Sequence, residues 1–177
     1  NSAFGVAYVK ALEGSGVITT PKHYVDNYGE GGHDSYPSPT SWRVLREVYL
    51  EPFRACFQEG GSRSVMSAYN SIDGVPVSCN DRLLNQILRD EWGFDGYVVS
   101  DWGAVNNRVD ALKAGMDLEM PGNNGANDQL LLQAIQNKTL SEETLNQSIE
   151  RILHQIFEFE KKKKNVSFDK EEHHQLA

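Results

Sequence analysis

Polar side chains able to do chemistry recur at four places in this 177-residue sequence, each at the end of an apolar or β-branched run. Lys22-His23 follows the run at 16–20. Met66, Tyr69 and Asn70 close the run that begins at Ser64. Asp101 and Trp102 follow the run at 96–100. Asp117, Glu119 and Met120 end the last run, just before Pro121-Gly122. Asp101 has two readings: a functional carboxylate, or the N-cap of a helix beginning near Ala104. Trp102 is either a packing residue under a loop or an aromatic platform for the apolar face of a sugar ring. Lys22 and His23 offer a cation and a donor–acceptor ring that can fix adjacent hydroxyls. Alternatively, Lys22 forms a Schiff base, as lysines of barrel lyases do, and His23 is a satisfied near-core histidine.

The elements that must position these groups follow from periodicity. Phe4, Ala7, Tyr8, Ala11 and Leu12 are spaced as one face of a helix that Gly14 and Gly16 end. A Gly-rich loop spans 28–39. Ser41 opens a helix with Trp42, Leu45, Tyr49 and Phe53 on one face. Asn80 or Asp81 caps another containing Leu84, Ile87 and Leu88, with Gly93 as its stop. Val105, Val109 and Leu112 mark a further helix. One more is expected at about 128–137. A last begins at Ser141 and is expected to bury Leu145, Ile149, Ile152 and Ile156. Strand-like runs alternate with these helices and are apolar at nearly every position. That pattern predicts parallel strands covered by helices. Four βα units make either a small open sheet or half of an eight-stranded barrel. In both, the chemistry collects at the C-terminal ends of the strands.

Composition narrows the function classes. The chain is 39% hydrophobic and 24% charged, which reads as globular. A net charge of -8 argues against nucleic-acid partners, which need a basic face. No apolar run approaches the length of a membrane span. Cys56 and Cys79 form neither a disulfide framework nor a metal-ligand pattern, and read as small core residues. The four-lysine run 161–164 reads as a solvated linker. Compartment is barely encoded, with a secreted or periplasmic setting slightly favoured.

Together the motifs resemble glycoside hydrolase family 3. They are Thr20-Pro-Lys-His-Tyr24, Val65-Met-Ser-Ala-Tyr-Asn70, Gly93-Phe-Asp-Gly-Tyr-Val-Val-Ser-Asp-Trp102 and Ala114-Gly-Met-Asp-Leu-Glu-Met-Pro121. The segment Leu45-Arg-Glu-Val-Tyr49 with Pro52-Phe53 fits as well. The similarity runs over about residues 1–157, in order and at family spacing. It implies an α/β fold, the second half (about four βα units) of a (β/α)8 TIM-like barrel. Residues 1–158 would be a partial barrel domain and 159–177 a linker toward an absent second domain. The partners so implied are a β-glucoside or β-linked oligosaccharide, the missing barrel half and that second domain.

The resemblance also assigns roles. Asp101 matches the nucleophile, and Lys22 and His23 match a pair that binds hydroxyls of the terminal sugar. Met66 and Tyr69 match positions lining that sugar's pocket, and Trp102 an aromatic on the leaving-group side. No cofactor or metal is implied. The expected activity is retaining, exo-acting hydrolysis of terminal non-reducing β-D-glucosyl residues, with an acid–base group about 5 Å from the nucleophile. One family pattern takes that group from a histidine in the loop after Lys-His, but here Asp34-Ser35 is followed by Tyr36, and His33 is out of place. The other takes a Glu from the second domain, with Glu30 or Glu119 as unsupported substitutes. The isolated chain is therefore expected to be inactive. The competing classes are a lyase acting through Lys22 and a non-catalytic carbohydrate-binding remnant.

Overall fold

A computed structural model describes residues 1–28, 36–162 and 169–176 of the chain. The first helix, α1 (Ser2–Gly14), ends where expected. Near its C-terminus, Glu13 Oε1 accepts from the Thr19 amide at 2.8 Å, the Thr19 hydroxyl at 2.7 Å and the Arg63 amide at 3.3 Å. One carboxylate thus ties the starts of the first two strand segments together.

Four segments run parallel, in the order in which the chain visits them. Tyr24 bridges Ser67 in parallel. Strand β2 (Ser64–Met66) pairs in parallel with β5 (Tyr97–Val99), with Val65 opposite Val98. Val99 then bridges Leu118, again in parallel. This is the expected α/β order.

The helical layer behind these segments is equally legible. Ser41 accepts from the Val44 amide and opens a bent run of α2 (Trp42–Val44), a π-helical turn (Leu45–Tyr49) and α3 (Glu51–Gln58). A π-helical segment, Arg82–Glu91, buries Leu83, Leu84, Ile87 and Leu88 against Val65 and Val98. Each such side chain withdrawn from water stabilises the fold by about 1.5–3 kcal/mol. Asn80, rather than Asp81, supplies its cap, accepting from the Leu83 amide at 3.1 Å. Tyr24 is wholly buried beside it: its ring meets Phe53 and Trp92 edge-on, and its hydroxyl donates to the Leu83 carbonyl at 2.9 Å. The chain continues through α4 (Arg108–Lys113), α5 (Ala126–Gln136), α6 (Glu142–Lys162) and α7 (Lys170–Leu176). Helix α6 runs without a break past residue 158.

One expectation fails in part, and two further features were not foreseen. Helix α6 buries its apolar stripe only in part: Leu145 packs half-buried against the cluster of Leu112, Leu131, Ala134 and Leu140 and Ile152 is half-buried, but Ile149 is 42% and Ile156 47% exposed, while Ser148 and Gln155 are buried. The side facing the sheet is polar because it meets polar atoms there. Ser148 donates to the Asp117 carbonyl at 3.5 Å, Arg151 to the Asp117 carboxylate at 3.1 Å and Gln155 to the Asp95 carbonyl at 3.4 Å. Phe4 and Tyr8 of α1 are likewise exposed, and only Val9 of that helix is buried, packed toward α3. The other unforeseen feature is a small sheet that periodicity did not reveal. Strand β1 (Pro37–Ser38) pairs in parallel with β3 (Ser71–Ile72), which forms a hairpin with β4 (Val75–Pro76). Asp73 and Gly74 take left-handed φ angles of 51° and 77° at its turn, the geometry that Asp-Gly favours.

Candidate active site

Asp101 stands immediately beyond the end of β5 and is 8% exposed. Its Oδ1 accepts from the Trp102 amide at 2.7 Å. Its Oδ2 lies 3.3 Å from His23 Nε2. The capping alternative is settled by the next helix: α4 starts at Arg108, and Asn107 caps it by accepting from the Val109 and Asp110 amides, each at 3.1 Å. Asp101 is left with one oxygen held by its own turn and the other turned to a histidine that reaches it from the first parallel segment, beyond β2.

His23 is partly exposed and sits between opposing influences. Burial, the largest, lowers its pKa below the ordinary histidine value; Asp101 pulls it upward, and the Lys22 ammonium lowers it further. The imidazole is therefore neutral at pH 7. Lys22 is exposed and close enough to act on it electrostatically.

Met66 closes β2 and is partly exposed, while its backbone is fixed between Tyr24, whose amide it accepts at 2.8 Å, and the Pro21 carbonyl, to which it donates at 3.1 Å. Tyr69 donates its hydroxyl to the Trp102 carbonyl at 2.7 Å. It thus braces the turn that carries Asp101. Trp102 is 53% exposed, too open for a packing residue under a loop. Asn70 is buried and donates to the Val25 carbonyl at 3.2 Å. Of the six predicted site residues, His23, Asp101, Tyr69 and Trp102 form one contact chain at the C-terminal ends of adjacent parallel segments. Lys22 and Met66 flank it. Glu30, His33, Asp34 and Ser35 lie outside the described residues.

Two features were not foreseen from the sequence: a hydroxyl beside Asp101, and the arginine partners of Asp117 and Glu119. The first is Ser100, whose hydroxyl bonds the backbone of Met120; nothing but its place before Asp101 draws attention to it. The second is a set of buried charges under the fourth segment. Asp117 takes Arg89 at 2.6 Å, Arg151 at 3.1 Å and the Val98 amide at 2.8 Å, and burial lowers the Arg89 pKa. Arg108 donates to the Met116 and Asp117 carbonyls at 3.1 and 2.9 Å. Glu119 is drawn into the same set: Asn127 donates to it at 2.6 Å, and Arg108 Nε stands 3.8 Å away. Both cysteines are free thiols, Cys56 buried and Cys79 half-buried. Burial pushes both pKa values up, which disfavours the thiolate form.

Residues 1–155 match the model of the glycosyl hydrolase family 3 N-terminal domain. The thermostable β-glucosidase B of Acetivibrio thermocellus is 40% identical over 178 residues, spanning 100% of this chain and 24% of the relative. The β-glucosidase of Rhizobium radiobacter is 40% identical over 152 residues, or 86% of this chain and 19% of that protein. Among solved structures, β-glucosidase 3B of Thermotoga neapolitana in complex with α-D-glucose superposes with a TM-score of 0.88 at 35% identity, covering 97% of this chain and 25% of that one. The chain spans about a quarter or less of the length of these relatives.

Proposed function

The chain belongs to glycosyl hydrolase family 3, and from that premise we propose that it is the nucleophile-bearing half-barrel of a retaining, exo-acting β-glucosidase. The substrate is a terminal non-reducing β-D-glucosyl residue. The observation that carries the reading is Asp101 itself: an almost buried carboxylate beyond the end of β5, with one oxygen fixed by the Trp102 amide and the other beside His23. Retaining hydrolysis needs a carboxylate held in one orientation to attack the anomeric carbon and then leave as water releases the sugar. Lys22 and His23 take hydroxyls of the bound sugar. Met66 and Tyr69 border its pocket, and Trp102 offers its exposed ring to the group being released.

The acid–base residue comes from outside these 177 residues. Glu119 is a poor substitute, since it is engaged by Asn127 and Arg108. The chain by itself therefore does not turn over a nitrophenyl β-glucoside, and robust turnover by the purified 177 residues would overturn that point. The reading as a whole is tested in the parent enzyme with a slow fluorinated β-glucoside that carries a good leaving group. Peptide mass mapping should find the trapped glycosyl group on Asp101. Label on Lys22, or on another carboxylate, would refute the assignment.

A further inference from the structure

We propose that Ser100 is a positioning residue for the nucleophile; the inference rests on the reading of Asp101 given above. Ser100 is fully buried. Its amide donates to the Leu118 carbonyl at 2.9 Å, the last direct backbone bond between β5 and the fourth segment on this side of Asp101's turn that both keep in strand fashion. One step further on, the hydroxyl takes over. Ser100 Oγ accepts from the Met120 amide at 2.8 Å and lies 3.2 Å from the Met120 carbonyl, to which it donates. That carbonyl also accepts from the Gly103 amide at 2.9 Å. The backbone of Met120 is therefore bonded on both sides of Asp101, by Ser100 before it and by Gly103 after it.

The remaining bonds of the turn leave Asp101 little freedom. The Ala104 amide donates to the Asp101 carbonyl at 3.1 Å. Tyr69 holds the Trp102 carbonyl from the other flank. Among these anchors, Ser100 is the one whose side chain joins the strand that ends in the nucleophile to the next strand. Removing its hydroxyl leaves the Met120 amide without its acceptor and frees the point from which the Asp101 backbone departs. Attack on an anomeric carbon depends on carboxylate placement at the scale of an ångström, so the effect belongs in the chemical step and not in substrate affinity.

The test compares Ser100→Ala, Ser100→Thr and Ser100→Cys in the parent enzyme, using an aryl β-glucoside and the slow fluorinated glucoside. Ser100→Ala should lower kcat by about ten- to a hundredfold, leave KM close to wild type, and slow the labelling of Asp101 by a similar factor. Ser100→Thr, which keeps the hydroxyl, should recover most of the rate. Wild-type kcat in Ser100→Ala would overturn the proposal, as would a folded Ser100→Thr no faster than Ser100→Ala. A rise in KM equal to the loss in kcat/KM would overturn it too. If Ser100→Ala does not fold, Ser100→Cys is read by the same criteria, since it keeps the volume and weakens the hydrogen bonds. Failure of the nucleophile assignment is separable: it appears as missing label on Asp101 in the wild-type enzyme, whatever Ser100 does.

Discussion

His23 Nε2 lies 3.3 Å from Asp101 Oδ2, and the two side chains reach each other from the first and third parallel segments, with β2 between them. The pair carries a pH signature. Burial lowers the His23 pKa below the 6.5 of a free histidine. As pH falls through that value, the unfolded chain takes up a proton before the folded one does. Stability is therefore undiminished above about 6.5 and declines below it, until the lowered folded-state value is passed. Urea midpoints at about pH 8 and pH 5 should show a larger acid loss for wild type than for His23→Gln. Equal losses would mean that His23 contributes nothing to the pH dependence.

Asp117 predicts the largest single effect on stability. Its side chain is fully buried and engages two arginines. In Asp117→Ala, Arg89 stays buried with its charge uncompensated, and Arg151 loses its anchor. The expected loss is about 3–5 kcal/mol, the usual result of breaking a buried pair from one side. Denaturant unfolding measures it, and a loss below about 1 kcal/mol would show that the arginines find other partners.

Gly96 is needed for close approach, not for an unusual backbone angle. A Cβ there would stand 2.6 Å from the Arg63 carbonyl carbon and equally near the Phe94 ring. The same Arg63 carbonyl accepts from the Tyr97 amide at 3.3 Å, where the β2–β5 pairing begins. Gly96→Ala must push these backbones apart, at a cost of about 1–3 kcal/mol. A thermal midpoint equal to that of wild type would contradict the packing described.

Trp102 separates a ligand role from a packing role. With more than half its surface open, Trp102→Ala should change stability by no more than about 0.5 kcal/mol. In the parent enzyme it should raise KM for aryl β-glucosides more than it lowers kcat. Tryptophan emission that responds to an aryl glucoside in wild type, but not in the variant, is the direct check. A large stability loss with unchanged KM would make the ring structural.

The order of the elements and the place of the site were readable because two local signals agreed. Apolar runs marked the buried segments, and Gly or Pro marked where they stop, so His23, Tyr69, Asp101 and Trp102 fell at one edge of the sheet. Asp101 itself was not decided locally; the cap reading falls away only when Asn107 is seen to cap α4. Helix α6 misled for a physical reason. Periodicity reports that Ile149, Ile152 and Ile156 share a face, but not which neighbour that face meets. The neighbour on the sheet side carries the Asp117 charges, which select Ser148, Arg151 and Gln155. The β3–β4 hairpin had a usable sign in Asp73-Gly74 between Ile72 and Val75, masked by the shortness of the strands.

The polar seam under α6 has a further consequence. Apolar contacts tolerate sliding and rotation, whereas hydrogen bonds to Asp117 and Asp95 specify an angle about the helix axis. The helix is therefore aimed by its inner face, and the orientation of Ile149, Leu153 and Ile156 is set without help from whatever packs outside. An element docking there meets a surface whose ordering entropy has already been lost, so more of its contact energy remains to hold it.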